Sequence, residues 1–138
     1  MDDWRQGTSC MRSLIAKFHN RPSDAKYTDI TFRLTDGSLV SGHKLLLAIS
    51  SPVFEAQFFG VLASDCQDNI IDIQNVDSDS FRRLLDFIYN SEALSWRMES
   101  LEYWNLLHAA HMYLVPGLIT HCSNKITDFM KVQFVLKI

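Results

Sequence analysis

Cysteine, proline and glycine are all scarce here: three, three and five in 138 residues. Three widely spaced cysteines, Cys10, Cys66 and Cys122, exclude a disulfide-dense scaffold and fit a reducing cytoplasmic or nuclear compartment. No secretory leader and no apolar run of roughly 18 residues is present, so no membrane span is expected. Basic residues are not in excess either. Lys plus Arg number 13 against 16 Asp plus Glu, scattered along the chain, which leaves no electrostatic footprint for nucleic acid. Repeats and low-complexity tracts are absent, and the length suits one domain with one core.

What is present is periodic. Met11, Leu14, Ile15 and Phe18 recur at i, i+3, i+4 and i+7, the pattern of an amphipathic helix, which Arg21-Pro22 stops. Ile30, Phe32 and Leu34 alternate with polar neighbours as in a half-buried strand. Asp36-Gly37 then predicts a two-residue type I′ hairpin turn leading into a return strand over Leu39 to Gly42.

The tract "HKLLLAISSPVF", His43 to Phe54, reads as two short helices. Leu45, Leu46, Leu47 and Ile49 make the first apolar on most faces and place it inside. Ser51 caps the second, with Pro52 at its first position and Val53, Phe54 and Phe58 on its buried side. A strand is expected from Asn69 to Ile73. Asp77 is the expected N-cap of the next helix, with Val76 and Phe81 as a hydrophobic staple and Phe81, Leu84, Leu85 and Ile88 along its inner face. A helix over Leu101 to Leu114 follows, centred on Tyr103, Leu107, Ala110 and Leu114. Val115-Pro116-Gly117 introduces a last one, with Leu118, Cys122, Ile126 and Phe129 on one face. The order is helix, hairpin, helix pair, strand and three helices, an α+β domain dominated by helices.

Catalytic chemistry finds no constellation. Ser50 and Ser51 lie outside any Gly-x-Ser-x-Gly elbow and lack a positioned base, so His43 to Phe54 reads as scaffold. His108 and His111 stand three apart on one helix, but the rest of a ligand set is missing, and no metal or cofactor is expected. His111, at the edge of the apolar stripe, reads as a partly buried, hydrogen-bonded ring. No neighbouring base is evident to activate Cys66.

Three tracts together, "DITFRL…SGHKLLLAISSPVFEAQFFG", "IDIQNVDSDSFRRLLDFIYN" and "LEYWNLLHAAHMYLVPGLITHCSNKI", resemble the BTB/POZ domain from Asp29 through Ile126, about three quarters of the chain. The stretch "AAHMYLVPGL" is similar to BTB proteins that carry a PHR domain further along. The resemblance implies a helical cluster capped by a small three-stranded sheet. It divides the chain into an N-terminal segment with a dimerisation helix (1–26), a BTB/POZ core (27–128) and a C-terminal tail (129–138). It implies no enzyme, but a protein-protein interaction module that forms a two-fold homodimer through Met11, Leu14, Ile15 and Phe18. Asp29 and Lys44 match a charged pair that the family holds in a pocket at the dimer seam.

Many members of this family are substrate adaptors that dock on the N-terminal domain of cullin-3 in a ubiquitin ligase. The matching surface here comprises Phe58, Phe59, Leu62, Ser64 and Asp65. Ser64 stands where the family's hydrophobic-x-Glu motif has its glutamate, and Asp65 takes that role only by a shift of register. The alternative that the resemblance leaves open is a dimeric module recruiting a co-regulator to a transcriptional or architectural protein.

Overall fold

The computed structural model describes residues 27–60, 69–89 and 97–136, with side chains through 132. Its elements are β1 (Ile30–Arg33), β2 (Leu39–Gly42), α1 (Lys44–Ser50), α2 (Pro52–Phe59), β3 (Ile70–Asp72), α3 (Ser78–Tyr89), α4 (Ser100–Met112) and α5 (Pro116–Leu136). The expected leading helix, Met11 to Phe18, lies outside the described residues.

Strand β1 sits centrally in a three-stranded sheet of order β2-β1-β3. It pairs antiparallel with β2, Phe32 opposite Val40, and parallel with β3, Phe32 opposite Ile71. Parallel neighbours need a crossover; here α1 and α2 intervene between β2 and β3. Pairing reaches the whole expected strand, since Thr31 N–H donates to the Asn69 carbonyl and Ile73 N–H to the Arg33 carbonyl, both at 2.8 Å. As the alternation requires, Ile30, Phe32 and Leu34 are buried.

The hairpin forms, but not through a type I′ turn. Gly37 N–H donates to the Leu34 carbonyl at 3.0 Å and Leu34 N–H to Ser38 at 2.9 Å, which leaves three loop residues. Only Gly37 takes a positive φ, 86°; Asp36 does not. The arrangement is a four-residue turn followed by a left-handed glycine, the usual three-residue hairpin. Asp36 instead braces the loop from within, its Oδ1 accepting from Ser38 N–H at 2.9 Å, a local bond that aspartate makes readily in turns. The turn is fastened to α3 by Arg82 Nη2, which donates to Ser38 Oγ at 2.6 Å.

Ser51 ends α1 and starts α2. Its N–H donates to the Leu47 carbonyl at 3.0 Å, and its Oγ accepts from Phe54 N–H at 3.2 Å with Pro52 in the first helical position. Asp77 caps α3 as expected, Oδ2 accepting from Ser80 N–H at 3.1 Å, with Val76 and Phe81 both buried. Helix α4 stops at Met112, short of the expected Leu114. Leu114 is exposed at a φ of 51°, so the stripe Tyr103, Leu107, Ala110 is completed by Leu106 and Ala109 instead.

The core is centred on phenylalanines. Phe32 meets Phe81 edge-on at 5.0 Å and Phe54 at 5.6 Å, while Phe54 stacks on Tyr113 at 4.6 Å and on Phe58 at 5.5 Å. These contacts tie β1, α2, α3 and the α4–α5 corner together, each adding about 0.5–1.5 kcal/mol to area burial.

Candidate interaction surface

Helix α1 is apolar nearly all round, yet only Leu47 and Ala48 are buried. Leu45 is 65% exposed and Ile49 75%. This corrects the expectation that the whole helix lies inside. Seven residues present two sides, and α2 and α3 cover only one; Leu45 and Ile49, one turn apart, occupy the other. Tyr27 is also open, at 71%.

A cavity of about 360 Å³ lies here, lined by Tyr27, Asp29, His43, Leu45 and Leu46. Asp29 is fixed at its edge. The Asp29 N–H donates to the Gly42 carbonyl at 3.1 Å, and Oδ1 accepts from Lys44 N–H at 2.8 Å. A carboxylate on the first free N–H of α1 is favoured by the helix dipole and replaces the cap that His43 does not supply. Asp29 and Lys44 are thus neighbours, but through the lysine's backbone; its ammonium donates to Asn69 Oδ1 at 3.0 Å.

His43 forms the inner wall. Tyr89, buried on α3, accepts the His43 N–H at 2.9 Å and lies 2.8 Å from ring Nδ1. Burial holds the imidazole below the usual histidine value, against the smaller upward pull of Asp29. Burial also pushes the Tyr89 phenol up to about 12.

The second surface is only partly described, because Leu62, Ser64 and Asp65 lie outside the described residues, as do Met11, Leu14, Ile15 and Phe18. Of the two aromatic candidates, Phe58 is a core residue, 7% exposed and stacked on Phe54. Phe59 is 60% exposed at the end of α2 and available for contact. Neighbours on a helix point about 100° apart, so one of the pair faces inward at the other's expense.

The candidate histidines do not converge. His108 is exposed, with Nε2 3.2 Å from the Asn75 carbonyl; His111 is exposed rather than partly buried. His121 packs its ring against Tyr103 at 6.3 Å. Among the described residues no three His, Cys, Asp or Glu side chains cluster as metal ligands, and no helix is long and apolar enough to cross a membrane. Cys122 is buried, and burial pushes its thiol up to about 11.

Tyr27, Leu45, Ile49 and the Tyr89 support for His43 were not anticipated from sequence. The available signal is the all-round apolar pattern of α1, which gives it an exposed apolar face as well as a core-facing one.

Comparison with known proteins gives one result by three routes. Residues 18–129 match the model of the BTB/POZ domain. The chain is 43% identical over 116 residues to BTB/POZ and MATH domain-containing protein 3 of Arabidopsis thaliana, a match covering 78% of this chain and 28% of that protein. It is 31% identical over 107 residues to TD and POZ domain-containing protein 2 of Mus musculus, covering 78% and 29%. The fold is similar to the solved BTB domain of zebrafish PATZ1, with a TM-score of 0.70 at 20% identity, covering 88% of this chain and 94% of that one. The chain thus spans under a third of the two curated relatives' length.

Proposed function

The chain belongs to the BTB/POZ domain family, a protein-interaction fold, and on that premise we propose that it acts as a homodimeric adaptor that docks on the N-terminal domain of cullin-3 and presents a substrate for ubiquitination, in the cytoplasm or nucleus. The carrying observation is exposed Tyr27 and Leu45 in the lining of a cavity edged by Asp29, with exposed Ile49 one turn beyond Leu45 on α1. Scattered exposed apolar side chains are ordinary, whereas a cluster at a concave site is what an interface buries. Met11, Leu14, Ile15 and Phe18 of a second copy are the proposed cover, with each copy covering the other.

For the cullin, support comes from exposed Phe59, an aromatic of the kind that anchors interfaces. The coupling of BTB/POZ with a further domain in the name of the Arabidopsis relative fits an adaptor with a separate recognition module. Ser64 in place of the glutamate makes the docking weaker than in a typical adaptor, by on the order of 1.5–3 kcal/mol for a lost charge-assisted hydrogen bond.

Calorimetry against the cullin-3 N-terminal domain tests this. The expected results are measurable wild-type binding, a gain for Ser64→Glu and severe losses for Leu62→Asp and Phe59→Asp. Wild-type binding unaffected by both aspartates contradicts the proposed surface. A dimer with no cullin binding favours co-regulator recruitment instead.

A further inference from the structure

We propose that the Asp36-Gly37 peptide in the β1–β2 hairpin is a site of isoaspartate formation that the folded domain holds shut, with Arg82 on α3 as its outer lock. It is the one Asp-Gly pair in the chain. Glycine leaves its amide nitrogen unshielded and its backbone free to turn, so this pair closes a ring where bulkier successors resist. In that step the Gly37 nitrogen attacks Asp36 Cγ and gives up its proton, the Cγ–OH bond breaks, and water departs, leaving a five-membered succinimide. Water then adds back. Opening at the original main-chain carbonyl sends the backbone through Cβ and Cγ, one carbon longer, with the former main-chain carboxylate as the side group. No oxidant or further reactant enters.

Each group the step needs is engaged. The Gly37 N–H donates to the Leu34 carbonyl at 3.0 Å. The carboxylate is tied to the residue beyond, Oδ1 accepting from Ser38 N–H at 2.9 Å and from Ser38 Oγ at 2.5 Å. Arg82 Nη2 lies 3.7 Å from Oδ2 and donates to Ser38 Oγ at 2.6 Å. Behind the turn, the Asp36 N–H donates to Ser78 Oγ at 3.1 Å. Together these contacts fix the side-chain torsion that must turn before Cγ can meet the nitrogen. They also favour the carboxylate, which leaves less readily than the acid: the Ser38 donors first, then Ser78 and Arg82, hold it below the usual carboxylate range. Ser78 and Arg82 belong to α3, so docking of the hairpin on that helix governs the chemistry at its tip. Asp36 is exposed, and water reaches the ring once it forms. The product lengthens the three-residue loop and removes the carboxylate between Ser38 and Arg82, which loosens the hairpin from α3.

Tryptic peptide Leu34 to Lys44 contains Asp36 and no other Asp or Asn, so its isoaspartate content reports this site alone. The chain is aged at about 37 °C and about pH 6, near enough to the carboxyl's range for the acid form to be sampled, either native or unfolded in guanidinium chloride. After digestion, the two isomers of the peptide are separated by chromatography and assigned by electron-transfer fragmentation. The expected native rate is at least about tenfold below the unfolded one, because only molecules with the hairpin open react. With circular dichroism confirming the fold, Arg82→Gln and Ser38→Ala are each expected to raise the native rate about threefold or more. Arg83→Gln, which removes a contact to Glu102 instead, is expected to stay within about twofold of wild type. A native rate equal to the unfolded one, no isoaspartate in the unfolded chain, or a folded Arg82→Gln no faster than Arg83→Gln overturns the proposal. Should Arg82→Gln fail to fold, Ser38→Ala takes its place in that comparison.

Discussion

The hydroxyl of Ser51, between α1 and α2, donates to the backbone carbonyl of Tyr113, at the corner of α4 and α5, 62 positions along the chain. The same oxygen accepts from Phe54 N–H. One fully buried side chain thus caps a helix and closes the far end of the domain. The Ser-Ser-Pro tract is scaffold because this hydroxyl has both its bonds engaged in holding elements together.

Ser51→Ala is therefore expected to cost about 1–3 kcal/mol, by losing the cap and stranding a buried carbonyl. Ser50→Ala, which removes only a bond to the Leu46 carbonyl within α1, is expected to stay within about 0.5 kcal/mol. Urea unfolding of the two variants beside wild type measures both; equal midpoints contradict the role given to Ser51.

How much of this was legible in the sequence follows from range. Ser51, Asp77 and the alternation of Ile30, Phe32 and Leu34 act on residues within three or four positions, so pattern alone locates them. Asp36-Gly37 marks the hairpin but not its turn, because loop length is settled by the pairing of Leu34 with Ser38 and the grip of Arg82. Leu45 and Ile49 differ from the expected placement because an apolar side chain reads the same in sequence whether it is buried or exposed. Phe58 and Phe59 differ only by a rotation about α2, which is fixed by the distant rings of Phe32 and Tyr113. Asp29 and Lys44 were brought together by resemblance, while the actual bond, carboxylate to backbone N–H, depends on the geometry of a helix start.

Ile49→Lys is expected to give a folded monomer. The side chain is exposed in the single chain, so the substitution costs folding less than about 0.5 kcal/mol. In the dimer it places a charge in an apolar seam, and light scattering should show half the wild-type mass with an unchanged thermal midpoint. A dimer of full mass contradicts the seam.

Stability is expected to decline in both acid and alkali. His43 and His121 are each held below the usual histidine value, His121 by burial first and by Lys125 second. Below about pH 6.5 the unfolded chain takes up protons that the folded rings resist, so stability falls as pH drops from there through the folded values. The phenols of Tyr89 and Tyr113 are pushed up to about 12 by burial. Above about pH 10 the unfolded chain loses phenolic protons that the fold retains, so stability falls again as pH rises toward 12. Chemical unfolding across pH checks both limbs; His121→Gln should flatten part of the acid limb.

Cys122 is expected to be inert in the native protein, since its thiol is buried and pushed up to about 11. With Cys10 and Cys66 replaced by serine, a thiol reagent at neutral pH should react only after denaturant is added. Prompt native reaction contradicts the burial of Cys122.

The most direct test of a dimeric cullin adaptor is the mass of the particle formed when this 15.9 kDa chain meets the cullin-3 N-terminal domain, measured by light scattering during size-exclusion chromatography. The account predicts that the chain alone elutes as two copies, and the mixture as two copies of each partner. A chain that elutes at 15.9 kDa, or a dimer that leaves the cullin domain unbound at high concentration, contradicts it.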